Sequence, residues 1–366
     1  MHTVTKNRNP SVTIKTIARE AGVHPSTVSR ALANDTRRVS DETIRRIKEL
    51  ANSLGYEANP WARSLRTQRS LTLGLVLPRL TDSILARMFE AAEDRARKHG
   101  YQAVTASTRD QNEEERRLIT GLIERRVDGL IIATSAARDP FLDELARRDV
   151  PFQLMNRASG KHPTVSADDE LGGYLATKHL LSRGHRRVGF IVGPLRFSTP
   201  VMRLRGYERA HAEAGVAFDE TLVVESGFDA EAGLAAASRL LASPNPPTAL
   251  FAVNDTVAMG AIAAARDLGL RVGDDLAVVG YNDNDLSQML SVPLSSVAIP
   301  VEEMGRLAVD LLLEQIQGGA KQSVLLQPKL VVRASSGPII AARTGAADAR
   351  RQRPPKQATR RPPQAG

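Results

Sequence analysis

The chain has 366 residues, and 42% of them are hydrophobic, so it is long enough for more than one domain with a buried core. It contains no cysteine, which excludes disulfide bonds and thiolate metal sites. No apolar run approaches the roughly 20 residues that a membrane-spanning helix needs, and the N-terminus shows no apolar signal-peptide core. We therefore expect a cytoplasmic protein that does not enter a membrane.

The net charge of +9 is concentrated at the two ends of the chain. Residues 1–69 carry 13 Lys and Arg against 6 Asp and Glu, whereas residues 70–338 carry 30 against 34. A basic head favours a polyphosphate partner, because each neutralised phosphate releases counterions. Residues 339–366 are basic and proline-rich, have little apolar surface to bury, and are predicted to form a disordered tail.

Residues 13–34 predict two short helices joined by a glycine turn. Thr13 can cap the first helix, Gly22 supplies a left-handed residue that ends it, and Pro25 suits the first position of the second. The inward positions are apolar, so the second helix directs three hydroxyls and one arginine outward: Ser26, Thr27, Ser29 and Arg30. This pattern predicts a helix-turn-helix, whose second helix fits the major groove of DNA.

A third amphipathic helix, from Ser40 to Gly55, completes a small three-helix core. Three short motifs and one tyrosine in this part of the chain form a recognisable pattern: Ala-Gly-Val at 21–23, Thr-Val-Ser-Arg at 27–30, Tyr56, and Ala-Arg-Ser-Leu at 62–65. Together they resemble the head and hinge of the LacI/GalR family of bacterial transcription regulators. The resemblance implies that the segment beginning at Asn59 is a hinge helix that forms on operator DNA.

The resemblance also implies individual roles at the DNA. Leu65 would wedge into the minor groove, where an apolar wedge bends DNA, with Arg63 and Arg66 near phosphates. The family's base-reading positions correspond to Pro25, Ser26 and Arg30, and an arginine that binds guanine contributes about 1–3 kcal/mol of discrimination. Thr27, Ser29 and Asn34 are expected at phosphates, and His24 is expected to be a helix cap. The predicted DNA-binding residues are Thr13, Pro25, Ser26, Thr27, Ser29, Arg30, Asn34, Tyr56, Asn59, Ala62, Arg63, Leu65 and Arg66.

From Leu71 onward, short apolar runs alternate with helical segments in two successive series. The first series has strands at 71–77, 103–106, 129–133 and 151–155, and the second at 188–192, 222–225, 249–253 and 276–280. Such alternation predicts parallel sheets covered by helices. The layout resembles periplasmic sugar-binding proteins and the effector domain of the same family.

The predicted fold is thus an all-α helix-turn-helix head followed by an α/β periplasmic-binding-protein-like core of two doubly wound parallel-sheet lobes. The predicted boundaries are the head at 1–58, the hinge helix and linker at 59–69, the core at 70–338 and the tail at 339–366. Within the core, we assign 70–168 and 298–328 to lobe one, and 169–297 and 329–338 to lobe two.

Ligands of open α/β sheets bind beyond the carboxyl ends of the strands, so the cleft between the lobes is the expected site. In the family, an aspartate or asparagine stands at Asn156, an arginine of the cleft at Arg203 and a stacking ring at Phe228. Asn282 departs from the usual Gly-aromatic-Asp-Asp pattern. The full set of predicted effector contacts is Asp82, Ser83, Asn156, Arg157, Arg203, Phe228, Asn254, Asp255, Asn282 and Asp283. Two alternatives stay open: Asn254 and Asp255 as plain helix caps, and Phe228 as a core residue.

Amides, carboxylates, an arginine and an aromatic ring suit a sugar-like effector, because each hydroxyl both donates and accepts hydrogen bonds. The sequence shows no nucleophile elbow, no phosphate-binding loop and no histidine spacing for a metal. We therefore predict a homodimeric repressor without enzymatic activity, cofactor or metal, whose partners are operator DNA and a small molecule. A solute-binding protein and a sugar-processing enzyme on the same core are the alternatives. The sequence does not decide between an inducer and a corepressor.

Overall fold

The computed structural model describes residues 12–32, 38–56 and 69–337. The chain divides into two compact units, Met1–Ser70 and Leu71–Gly366. The predicted hinge helix and tail lie outside the described residues, as do the predicted DNA contacts Asn34, Asn59, Ala62, Arg63, Leu65 and Arg66.

The first unit contains three short helices: α1 (Ile14–Ala21), α2 (Pro25–Leu32) and α3 (Asp41–Ser53). The caps follow the sequence prediction, because the Thr13 hydroxyl accepts from the Thr16 amide and Gly22 has φ = 66°. At the start of α2, His24 Nδ1 accepts from the Ser26 amide at 3.3 Å, so His24 acts as the cap that we expected. The small core consists of Ile17, Ala18, Val28, Ala31, Val39, Ile44, Ile47 and Ala51.

Lobe one is a six-stranded sheet in the order β11-β5-β4-β3-β1-β2, and its neighbouring strands are all parallel. The strands are β1 (Thr72–Leu77), β2 (Gln102–Ser107), β3 (Gly129–Ile132), β4 (Phe152–Met155), β5 (Thr164–Ala167) and β11 (Val324–Leu326). Residues alternate between the two faces of a strand. In β1, Leu73, Leu75 and Leu77 accordingly join one core cluster, whereas Val76 joins the other.

Lobe two has a six-stranded sheet in the order β12-β10-β9-β8-β6-β7. Its strands are β6 (Val188–Val192), β7 (Val223–Glu225), β8 (Ala249–Ala252), β9 (Ala277–Asn282), β10 (Ser295–Ala298) and β12 (Lys329–Val331). The β10–β12 pair is antiparallel, and the other pairs are parallel. The two sheets have equivalent orders, which confirms the prediction of two doubly wound lobes.

Helices cover the two sheets. Lobe one carries α4 (Ser83–Lys98), α5 (Asn112–Glu124), α6 (Pro140–Arg147) and α11 (Val301–Ile316). Lobe two carries α7 (Asp169–Ser182), α8 (Ser198–Glu213), α9 (Ala230–Leu241) and α10 (Asp255–Asp267). Among the helices of the described ranges, none combines the length and apolar character that a membrane span needs.

The chain passes between the lobes three times, between β5 and α7, between β10 and α11, and between β11 and β12. Four strands were not predicted from the sequence, and each has only three or four residues: β5, β10, β11 and β12. Thr164–Ala167 and Ser295–Ala298 contain serine or threonine where an apolar run would be needed for recognition. Their strand geometry depends on pairing with neighbouring strands rather than on an apolar pattern of their own.

Candidate functional site

The outer surface of α2 carries the side chains that the sequence assigned to DNA. Pro25, Ser26, Thr27, Ser29 and Arg30 are all partly exposed, whereas the intervening Val28 and Ala31 are buried. The helix therefore has the division into an apolar and a polar face that groove binding requires.

Two other predicted DNA contacts have clear structural roles in the head. Thr13 is exposed, and its hydroxyl lies 3.0 Å from that of Thr16 in the capping arrangement of α1. Tyr56 packs against the head core, and its amide donates to Ala51 O at 2.9 Å. Contact between these residues and DNA stays a prediction.

A small cavity lies in the second unit, where the carboxyl ends of strands from both sheets meet. It is lined by Arg79, Asp82, Leu85, Asn156, Arg157, Thr199, Arg203, Phe228, Asn254 and Asn282. The lobes are bridged beside it, because Asn284 Nδ2 of lobe two donates to Ser83 Oγ of lobe one at 2.8 Å. The structure thus brings predicted side chains from opposite lobes around one space.

Arg203 reaches this cavity from α8 and is 5% exposed. Its Nε donates to Asp169 Oδ1 at 2.8 Å, and its Nη1 donates to the carbonyl of Val253. Its guanidinium carbon lies 3.5 Å from the centroid of the Tyr281 ring. These contacts hold the guanidinium in one orientation at the wall of lobe two.

Arg157 occupies the opposite wall and is 4% exposed. Its Nη1 donates to Asp110 Oδ1 at 2.6 Å, and its guanidinium carbon lies 3.6 Å from the centroid of the Phe197 ring. A desolvated cation–π contact of this kind contributes about 2 kcal/mol. Since Phe197 belongs to lobe two, Arg157 connects the lobes as well as lining the cavity.

The three amide side chains of the cavity lie at ends of strands. Asn254 Oδ1 accepts from the Val257 amide at 2.7 Å, and its Nδ2 donates to Phe228 O at 3.0 Å. Asn254 is therefore a helix cap that also fixes the loop of Phe228 and borders the cavity. Asn156 and Asn282 have positive φ values of 69° and 97°, a backbone conformation that asparagine adopts more readily than most residues.

Three predicted contacts do not line this cavity, and their hydrogen bonds explain why. Ser83 is exposed and bonds to Asn284. Asp255 is 1% exposed and accepts from Ser296 Oγ and from the Asn284 amide, both at 2.5 Å. Asp283 accepts from Arg333 Nη1 at 2.6 Å. Burial raises the pKa of Asp255 to about 6.

Three further residues line the cavity that were not among the predicted contacts: Arg79, Leu85 and Thr199. Arg79 follows β1 by two residues, so its place after a strand was a usable signal. Leu85 and Thr199 lie in the first turns of α4 and α8, and nothing in their type distinguishes them from core residues. Within 12–32, 38–56 and 69–337, no group of three or more His, Asp or Glu is placed to bind a metal.

Comparisons with known proteins agree with this architecture. Residues 13–59 match the profile of bacterial regulatory proteins of the lacI family, and residues 177–336 match that of a periplasmic binding protein-like domain. The chain is 36% identical over 334 residues to the HTH-type transcriptional regulator DegA of Bacillus subtilis (strain 168), covering 89% of this chain and 98% of that protein. The chain belongs to the lacI family of bacterial regulatory proteins.

This lacI-family chain is similar to solved structures of transcription regulators, including the following two. A lac repressor dimer bound to operator and the anti-inducer ONPF has a TM-score of 0.80 and 29% identity, over 89% of this chain and 99% of that one. A complex of the transcriptional regulator CelR with cellobiose has a TM-score of 0.69 and 32% identity, over 88% and 99%. The chain is thus a transcriptional regulator of the repressor type with an effector-binding core, like the regulators to which it is similar.

Proposed function

We propose that this chain represses transcription as a homodimer that binds a roughly palindromic operator and responds to a sugar-like effector held between its lobes. The observation that carries the proposal is the cavity lined by Asn156 and Arg157 from lobe one and by Arg203, Asn254 and Asn282 from lobe two. A ligand that contacts both walls favours one angle between the lobes. We expect the protein to act in the cytoplasm, where operator DNA is available.

The proposed roles follow from side-chain chemistry. The amides of Asn156, Asn254 and Asn282 both donate and accept, as hydroxyl recognition requires, and Phe228 offers a ring for stacking. The CelR structure contains cellobiose, which supports a carbohydrate as the kind of ligand that this fold holds. At the DNA, Arg30 would read a guanine, and Leu65 of the hinge would enter the minor groove.

Effector control would act by population shift. A ligand that prefers the DNA-binding arrangement strengthens operator binding, and a ligand that prefers another arrangement weakens it. Two protomers related by a two-fold axis would place two α2 helices on two half-sites of an operator of matching symmetry.

The test combines operator selection with ligand screening. Full-length protein is used to select DNA from a random pool, and the selected site is titrated in the presence of sugars and purines. We expect a symmetric site, salt-dependent binding, and at least one small molecule that changes the operator affinity. Absence of a preferred symmetric site, with and without these metabolites, would contradict the proposal.

A further inference from the structure

Two arginines in the wall of lobe one share one carboxylate. Arg79 Nη2 and Arg157 Nη1 both donate to Asp110, one to each oxygen, and the Arg157 bond measures 2.6 Å. Arg79 follows β1, Asp110 follows β2 and Arg157 follows β4, so three strand ends bring these charges together. Both arginines line the cavity.

The other carboxyl groups near the cavity pair with an arginine, cap a helix or are buried. Asp169 pairs with Arg203, and Asp82 caps α4 by accepting from the Ile84 and Leu85 amides. Glu115 is buried behind the wall, where burial raises its pKa to about 7. A further cation, Arg196, donates to the backbone oxygen of Asp110 at 3.1 Å. The residues that line the cavity therefore include three arginines, Arg79, Arg157 and Arg203, and one carboxylate, Asp82.

Two features beside the cavity, one from each lobe, lack a partner that an anion would supply. Arg79 Nε is buried, and no hydrogen-bond acceptor for it exists among the described residues. In lobe two, helix α8 begins at Ser198, next to the cavity-lining Thr199, and its N-cap residue Phe197 makes no side-chain capping bond. A buried donor without an acceptor is costly, and the start of a helix favours negative charge.

We propose that the effector is a polyol bearing an acidic group, a carboxylate or a phosphate, which Arg79 and Arg157 hold against the wall of lobe one. This proposal rests on the proposed function and narrows its ligand class. Arginine is suited to both groups, because its planar guanidinium binds two oxygens at once. Asn156, Asn254 and Asn282 then hold the hydroxyls, and Phe228 lies against the carbon skeleton.

The first experiment compares matched ligands on the full-length protein. Thermal unfolding is followed with glucose, gluconate, glucose 6-phosphate and inorganic phosphate at constant ionic strength. We expect gluconate or glucose 6-phosphate to stabilise the protein more than glucose does, and inorganic phosphate to give a smaller stabilisation of its own. The acid that stabilises more identifies carboxylate or phosphate as the natural group.

The second experiment uses two variants that change the charge of the wall in opposite directions, and one control variant. Arg79→Gln should weaken binding of the stabilising acid at least about tenfold, because a charged hydrogen-bonding group is lost. Asp110→Asn should tighten it, since the competing carboxylate disappears, and asparagine tolerates the positive φ of 59° at that position. Arg187→Gln is the control, because Arg187 pairs with Asp219 away from the cavity and its side chain is 30% exposed, like that of Arg79.

The proposal is overturned if glucose stabilises the protein as well as its acids do, or if Arg79→Gln responds to every anion as Arg187→Gln does. Operator titrations with the same ligands separate this result from failure of the proposed function. A neutral sugar that changes operator affinity while no acid does would refute only the acidic ligand. No effect of any ligand on operator affinity would refute both proposals.

Discussion

At the scale of single residues, the cavity depends on charges that are buried and paired. Arg203 and Asp169 each retain 6% exposure or less, so neither can be hydrated if its partner is lost. Arg203 also donates to Val253 O, which joins α8 to the end of β8. The arginine is therefore a structural residue of lobe two as well as a candidate ligand contact.

This dual role makes Arg203→Ala destabilising. An uncompensated buried charge costs about 3–5 kcal/mol, so we expect a loss of this size in the free energy of unfolding in urea. Adding Asp169→Asn should recover part of the loss, because the remaining group is neutral. A single variant within 1 kcal/mol of the wild type would show that the pair contributes little.

A second residue-scale prediction concerns Glu115, which is 3% exposed and has a pKa raised by burial to about 7. Below pH 4.5, both the folded and the unfolded chain hold the proton. Between pH 4.5 and 7 the unfolded chain releases it first, so the free energy of unfolding falls as pH rises, by up to about 3 kcal/mol. Glu115→Gln should remove this fall, as urea unfolding at pH 5 and pH 8 will show.

Glu114→Gln is the matched control on the same helix. Arg117 holds the pKa of the partly exposed Glu114 below its usual range, so this variant should not gain stability at pH 8. If Glu115→Gln behaved like Glu114→Gln, Glu115 would be ionised in the fold without penalty.

At the scale of elements, the wall of lobe two depends on the close approach of α7 and α8. A Cβ at Gly206 would meet the carbonyl oxygen of Glu170, and one at Gly173 would meet that of Arg203. Neither backbone can move away without shifting a whole helix. Gly173 thus has a packing reason for being glycine.

We expect Gly206→Ala to lower the free energy of unfolding by about 1–3 kcal/mol, because the added methyl overpacks this contact. Gly121→Ala is the matched control in α5, where a Cβ meets only Arg125 Nη1, at 3.2 Å. Since alanine favours a helix by about 1 kcal/mol over glycine, the control should be neutral or stabilising. Equal losses in both variants would contradict the helix-contact explanation.

The elements also show which features of the structure could be predicted from the sequence. Caps and glycine stops predicted the head, because Thr13, Gly22 and Ser40 act on neighbouring residues. Asp110 could not be selected, since no local signal places the loop after β2 against Arg157. Asp255 was expected in the cavity because it follows β8, but it bonds to Ser296 of β10, a strand that the sequence did not reveal. Polar positions at strand ends were predictable, and their partners across the sheet were not.

At the scale of the whole molecule, the chain combines two compact units with different tasks. Leu65 precedes the boundary at Ser70 and Leu71, whereas the effector cavity lies entirely after it. Leu65→Ala should weaken operator binding at least about tenfold, through loss of the minor-groove wedge. Effector-induced thermal stabilisation should stay unchanged, and simultaneous loss of both properties would argue against separable units.

The three passages of the chain between the lobes also bear on how this regulator is made. The edge strand β11 (Val324–Leu326) pairs with β5, which was translated more than 150 residues earlier. The sheet of lobe two is likewise incomplete until β12 (Lys329–Val331) has been translated and can pair with β10. Until translation reaches these edge strands, each sheet has an unpaired edge strand with which a neighbouring nascent chain can pair. A message cut short before codon 324 would therefore yield a polypeptide with a complete head and two unfinished sheets, a substrate for chaperones and proteases.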